Sequence, residues 1–150
     1  MRSLLQASLA LVIAMVCWTG IAHAQKRVAL VIGNSAYVHT QALPNPKSDA
    51  SDVAAALASF GFEIVSGYDL DKPAFDRTVR TFAAAMQGAH VGAVFYGGHG
   101  PQVQGQNYLV PIDAELTAAA ALDFEMVRLD LIQRTMENQA RTNILFLDAC

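Results

Sequence analysis

A histidine and a cysteine stand at the ends of two apolar runs. Residues 91–96 lead into Gly97-Gly98-His99-Gly100, and residues 144–147 lead into Asp148-Ala149-Cys150. A thiol is mostly protonated at neutral pH and attacks only as the thiolate. An imidazole beside it can take that proton and later return one to a leaving amine. The glycines flanking His99 carry no side chain, so backbone there can approach a bound molecule closely. The amides of Gly100 and Cys150 are candidates to receive a developing oxyanion, where losing one donor costs about two to three orders of magnitude in rate. Each residue also has a plainer reading. His99 alone fits a turn histidine, and Cys150 alone fits a buried apolar cysteine, because free Cys is among the most buried residue types.

The chemistry requires two distant segments to meet, and the elements between them say how. Residues 26–33 form a continuous apolar run without alternation, as in a strand buried on both faces of a parallel sheet. Residues 43–47, with Pro44 and Pro46, predict a loop, and Ser48 is placed as the cap of a helix whose first turn holds Asp49 and Asp52. Val53, Ala56, Leu57 and Phe60 repeat at helical spacing up to Gly61. Residues 62–65 are the second strand. Asp71 caps a second helix with the stripe Phe75, Val79, Phe82, Ala83 and Met86, and 91–96 is the third strand. Residues 102–113, with Gly105 central, predict a short hairpin or an extended excursion on the surface; Leu129–Glu137 is a shorter helix of irregular apolar spacing, and 142–147 the last strand. The order β-α-β-α-β-(excursion)-α-β implies an α/β, three-layer α/β/α fold with a mostly parallel sheet. Strand carboxyl ends in such a sheet open onto one shared edge. His99 and Cys150 both fall there.

The first 24 residues stand apart. Arg2 gives a positive start, 9–17 is an apolar stretch short for a bilayer, and Ala22-His23-Ala24 has the small-x-small form of a cleavage site. A signal peptide over 1–24 and a mature chain from Gln25 are expected, against the alternative of an uncleaved anchor. Val16 stands before Cys17 where a lipoprotein site wants a small residue, so no lipid attachment is expected. The expected location is exported, in a periplasm or outside the cell, with no stable membrane insertion after cleavage. Cleavage removes Arg2 and Cys17, leaving nine basic against thirteen acidic residues, a net charge of −4, and Cys150 as the remaining thiol. Nothing basic clusters, which excludes the electrostatic footprint of a nucleic-acid binder. The length from Gln25 suits one domain. Because the sequence stops on the tip of a buried-type strand, the domain is expected to be incomplete. By itself it is expected to be inactive or unstable, its last strand left without neighbours.

Other signals are weak. His39 and His90 have no partner at ligand spacing and no zinc motif occurs. Val31-Ile32-Gly33-Asn34 lacks the further glycines and the Lys-Ser/Thr pair of a nucleotide loop, and no Gly-x-Ser-x-Gly elbow is present.

Phe95-Tyr96-Gly97-Gly98-His99-Gly100 followed by Leu147-Asp148-Ala149-Cys150 resembles the His and Cys motifs of caspase-like cysteine peptidases, most of all the metacaspase-like bacterial branch. The strand 28–34 with its Gly-Asn ending, the stretch 43–50, and Asn107-Tyr108-Leu109-Val110-Pro111-Ile112-Asp113 are similar to family segments in the same order. The resemblance covers residues 25–150. It implies Cys150 as nucleophile, His99 as base and Gly100, with Cys150, as backbone oxyanion donor. It also implies that Asp148 and Asp49 line a pocket for an Arg or Lys side chain; two carboxylates favour a cation and reject an acidic residue. Asp49 has a second explanation as a first-turn helix carboxylate. Gly97 stands where many relatives carry a small hydroxyl residue. The implied function is an exported endopeptidase acting on polypeptide after Arg or Lys. The alternative is a catalytically inactive caspase-like binding or regulatory module of the cell envelope. No cofactor is assigned, and the calcium site of some metacaspases has no match that can be placed.

Overall fold

The computed structural model describes residues 25–115, 118 and 121–149. The expected signal peptide, 1–24, and Cys150 therefore lie outside the described residues. The chain forms β1 (Arg27–Gly33), α1 (Pro46–Ser59), β2 (Glu63–Tyr68), α2 (Lys72–Ala85) and β3 (Val91–Gly98). An excursion follows with β4 (Gln102–Val103), β5 (Gln106–Leu109), the short α3 (Leu122–Glu125) and β6 (Val127–Arg128). The chain then returns through α4 (Leu129–Glu137) to β7 (Thr142–Ala149).

The main sheet has the order β2-β1-β3-β7, every pair parallel. β1 lies in the interior and explains its own sequence. Val28, Leu30 and Ile32 point to one face and Ala29 and Val31 to the other, and all five are buried. On the first face α2, with Met86 at its C-terminal cap, and α4 supply Phe75, Phe82, Met86, Ile132 and Met136. On the second, α1 supplies Ala50, Val53 and Leu57 against Ala93 and Phe95. Fully burying a side chain of the Val, Leu or Phe kind contributes about 1.5–3 kcal/mol, so these two clusters hold the three layers together. The expected α/β/α architecture is the one observed.

Three local expectations need correction. The helix after the first strand begins at Pro46, inside the stretch read as loop; proline is tolerated at N1 because its missing N–H would be unpaired there anyway. Ser48 is accordingly inside the helix, its hydroxyl donating to the Asn45 carbonyl at 2.8 Å, and does not cap it. The last strand is also not without neighbours, since β7 pairs with β3 from Thr142 to Ala149. On its other edge β7 has no partner among the described residues, and Ile144, Phe146 and Leu147 remain exposed.

The excursion after β3 folds into a small antiparallel sheet, β4-β5-β6, turned by Gln104 and Gly105. Its Tyr108, with Val110, Ala114 and Met126, packs with Tyr37 into a third apolar cluster. Tyr37 links that cluster to the tip of β3, where its hydroxyl receives the His99 amide.

Candidate active site at the strand tips

β3 continues through Gly97 and Gly98, so its tip delivers His99 directly. β7 runs beside it in register, with Gly97 opposite Asp148 and Gly98 opposite Ala149. His99 and Cys150 are the residues that follow Gly98 and Ala149 in the chain. The two tips also touch beyond the ladder, for a Cβ added to Gly100 would stand 2.8 Å from the Ala149 Cβ. Glycine at 100 permits that approach.

The His99 ring is held on two sides. Its Nε2 lies 2.8 Å from the carbonyl oxygen of Gln41, and its face meets the Tyr37 ring at a centroid distance of 4.5 Å, tilted by 51°. A carbonyl can only accept, so Nε2 carries a proton. In the neutral imidazole Nδ1 is then the nitrogen with a free lone pair. The His99 backbone is held as well. Its N–H donates to the Tyr37 hydroxyl at 2.8 Å, and its carbonyl accepts from the Tyr96 hydroxyl at 2.7 Å and from the Val110 amide at 3.2 Å. Burial pushes both phenols above their usual pKa, Tyr96 well above, so both remain protonated. Tyr37 accepts from His99 and has its own proton to give to the Tyr96 oxygen at 3.3 Å.

The remaining predicted residues sit around this centre. Among the described residues the Gly100 amide donates to no acceptor. Asp148 is exposed near the end of β7, and Asp49 is half-buried on the first turn of α1; neither carboxylate has a partner among the described residues. Both lie on the α1 side of the sheet. Pro46, at the start of α1, rests on Gly97, where an added Cβ would be 3.3 Å from the proline Cβ. Asp49 and Val53 follow Pro46 along the helix, and Val53 shares an apolar groove of about 250 Å³ with Phe95 and Phe146, two residues before Asp148. Gly97 presents no hydroxyl; the space beside it is filled by Pro46.

Sequence reasoning missed the residues that support His99. Asn34 is fully buried; its side-chain amide donates to the Val110 carbonyl at 3.0 Å and its oxygen accepts from the Leu70 amide at 2.9 Å. Asp69 receives the Ser35 and Ala36 amides at 2.8 and 3.0 Å and the Lys47 ammonium at 2.8 Å. Burial alone would raise the Asp69 pKa, but these donors outweigh it and hold the carboxyl below its ordinary value. Together they pin both ends of the loop 34–45, which carries Tyr37 and Gln41. Asn34, at the end of an apolar strand, was a legible signal; the Gln41 carbonyl had none.

Against known proteins, the family description "Caspase domain" matches residues 26–150. The chain belongs to the caspase domain family. Among curated proteins this caspase domain is similar to the mouse mucosa-associated lymphoid tissue lymphoma translocation protein 1 homolog, 27% identical over 132 residues, covering 88% of the chain and 16% of that protein. The human protein is 27% identical over 127 residues, with 85% and 15% covered. The chain thus spans about a sixth of the length of these relatives. The crystal structure of protein GSU0716 from Geobacter sulfurreducens aligns with a TM-score of 0.62 at 21% identity, covering 83% of this chain and 50% of that one, which shows the shared fold. Among the described residues no helix is long and apolar enough to cross a membrane, and no group of three or more His, Cys, Asp or Glu could hold a metal ion.

Proposed function

We propose that this chain carries the His–Cys centre of an exported cysteine endopeptidase that cleaves after Arg or Lys. The observation that carries the reading is the parallel pairing of β3 with β7, in which the residues before His99 and before Cys150 are ladder partners. The Cys150 thiol gives its proton to His99 Nδ1, and the sulfur attacks the scissile carbonyl. The C–N bond breaks as imidazolium protonates the departing amine, leaving an acyl-thioester that water, activated by His99, hydrolyses. The uncommitted Gly100 amide supports a role, with the Cys150 amide, in holding the oxyanion. Asp148 and Asp49, without a partner among the described residues and on one side of the sheet, support recognition of a basic side chain. Export rests on the leader-like residues 1–24.

The test is turnover of reporter peptides ending in Arg, Lys or Asp by the full-length protein, with and without calcium or a chelator. Arg and Lys reporters are expected to be cleaved at least 100-fold faster than the Asp reporter, and Cys150→Ala to abolish turnover. Equal cleavage of the Asp reporter would end the specificity claim, and unchanged turnover in Cys150→Ala the mechanism. A folded protein that cleaves none of them would instead support the binding-module alternative.

A further inference from the structure

The tripeptide Gly98-His99-Gly100 has the least intrinsic restraint of any place to mount a base. Glycine loses more conformational freedom on ordering than any other residue, and here one stands on each side. A catalytic group nonetheless has to be held to within about 0.5 Å and 10–20° of its working geometry. The restraint comes from the loop 34–45. Tyr37 contacts His99 twice, through the face of its ring and through its hydroxyl on the His99 amide. Gln41 of the same loop holds Nε2. Tyr96 closes the arrangement by donating to the His99 carbonyl while its oxygen accepts the Val110 amide at 3.1 Å.

Gly98 is shaped to the same pair of hydroxyls. Its φ is +153°, and an added Cβ would stand 2.5 Å from the Tyr37 hydroxyl and 2.6 Å from that of Tyr96. The phenol oxygens occupy the space of the side chain that residue 98 does not have.

We propose that Tyr37 is a positioning residue for His99, its hydroxyl fixing the His99 peptide and its ring fixing the imidazole that Gln41 holds through Nε2. The catalytic consequence rests on the peptidase reading; the positioning itself does not. Tyr37→Phe keeps the ring and removes the hydroxyl, whereas Tyr37→Leu removes both. In the full-length protein, kcat on the Arg reporter is expected to fall about 10-fold in Tyr37→Phe and about 100-fold in Tyr37→Leu. KM stays within about twofold, and Tm of Tyr37→Phe within a few degrees.

A second readout needs no turnover. The His99 imidazole Cε1–H resonance, assigned by its loss in His99→Gln, is expected to be single and sharp in the wild type. In Tyr37→Phe it is expected to broaden or split as the ring samples a second placement. A single sharp resonance in Tyr37→Phe overturns the proposal, as does a raised KM with unchanged kcat. If the wild type cleaves no reporter, the peptidase reading fails on its own, and the resonance still decides the positioning.

Discussion

The two strand tips that meet at the candidate active site are built differently. At the tip of β3, Tyr96 is fully buried, Gly97 pairs with both β1 and β7, and Gly98 pairs with β7 and backs onto the Tyr37 and Tyr96 hydroxyls. Beyond it the His99 peptide is hydrogen-bonded at both its N–H and its carbonyl. At the tip of β7, Leu147, Asp148 and Ala149 are exposed, and the ladder to β3 is the only strand pairing among the described residues. His99 is thus fixed by the interior of the domain, whereas the strand leading to Cys150 is fixed from one side. Mutations should separate the two.

The largest effect is expected at Gly98. Alanine there meets two buried hydroxyls at a φ that L-residues rarely adopt. Overpacking and backbone strain each cost about 1–3 kcal/mol, so urea denaturation should show a loss of about 3 kcal/mol or more. A loss below about 1 kcal/mol would erase the contrast between the tips. Next comes Asn34→Ala, which takes the acceptor from the part-buried Leu70 amide and one of two donors from the Val110 carbonyl, leaving it the Tyr96 hydroxyl at 3.2 Å. An orphaned buried group costs about 1–3 kcal/mol, and the same denaturation experiment measures it.

A smaller effect is expected from acid. The folded Asp69 pKa lies below its unfolded value, so the folded state binds that proton less readily. The stabilisation is fully present above the ordinary carboxylate range, near pH 4, and is lost as pH falls through the folded pKa. The Lys47 partner is largely exposed, and solvent screening limits the contribution to about 1 kcal/mol. Asp69→Asn should lose this at neutral pH and flatten the acid limb of a stability-against-pH curve by the same amount; a curve that keeps its slope would remove Asp69 as the anchor of the loop. The smallest effect is expected on β7. Leu147→Gln alters an exposed side chain and should change stability by about 0.5 kcal/mol or less. A loss near that of Gly98→Ala would mean that the β7 tip is as constrained as that of β3.

Periodicity made the layers legible before any coordinates. β1 announces its two buried faces by an apolar run without alternation; α4 spans the expected Leu129–Glu137 although its apolar spacing is irregular, with Leu129, Ile132 and Met136 buried. Pro46 misled because proline breaks a helix interior but suits a first turn. The extension of β3 through Gly97 and Gly98 was hidden because glycine weakens a strand in isolation; here pairing with β1 and β7 holds it. At the strand tips, His99 was readable as a base-type residue ending an apolar run. The Gln41 carbonyl was not, since every residue has one. Nor was Tyr37, whose meaning depends on a loop folding back over a histidine 62 residues away.

Every strand of the main sheet points the same way, so the strand ends that lead to His99 and Cys150 gather at one rim and the returning turns at the other. Gly61 and Gly88 lie in turns of that far rim, each at positive φ with nothing within 4 Å of where a side chain would begin. A fluorophore or short epitope inserted beside either one should leave His99 undisturbed, which offers a practical handle for following the domain without touching its chemistry.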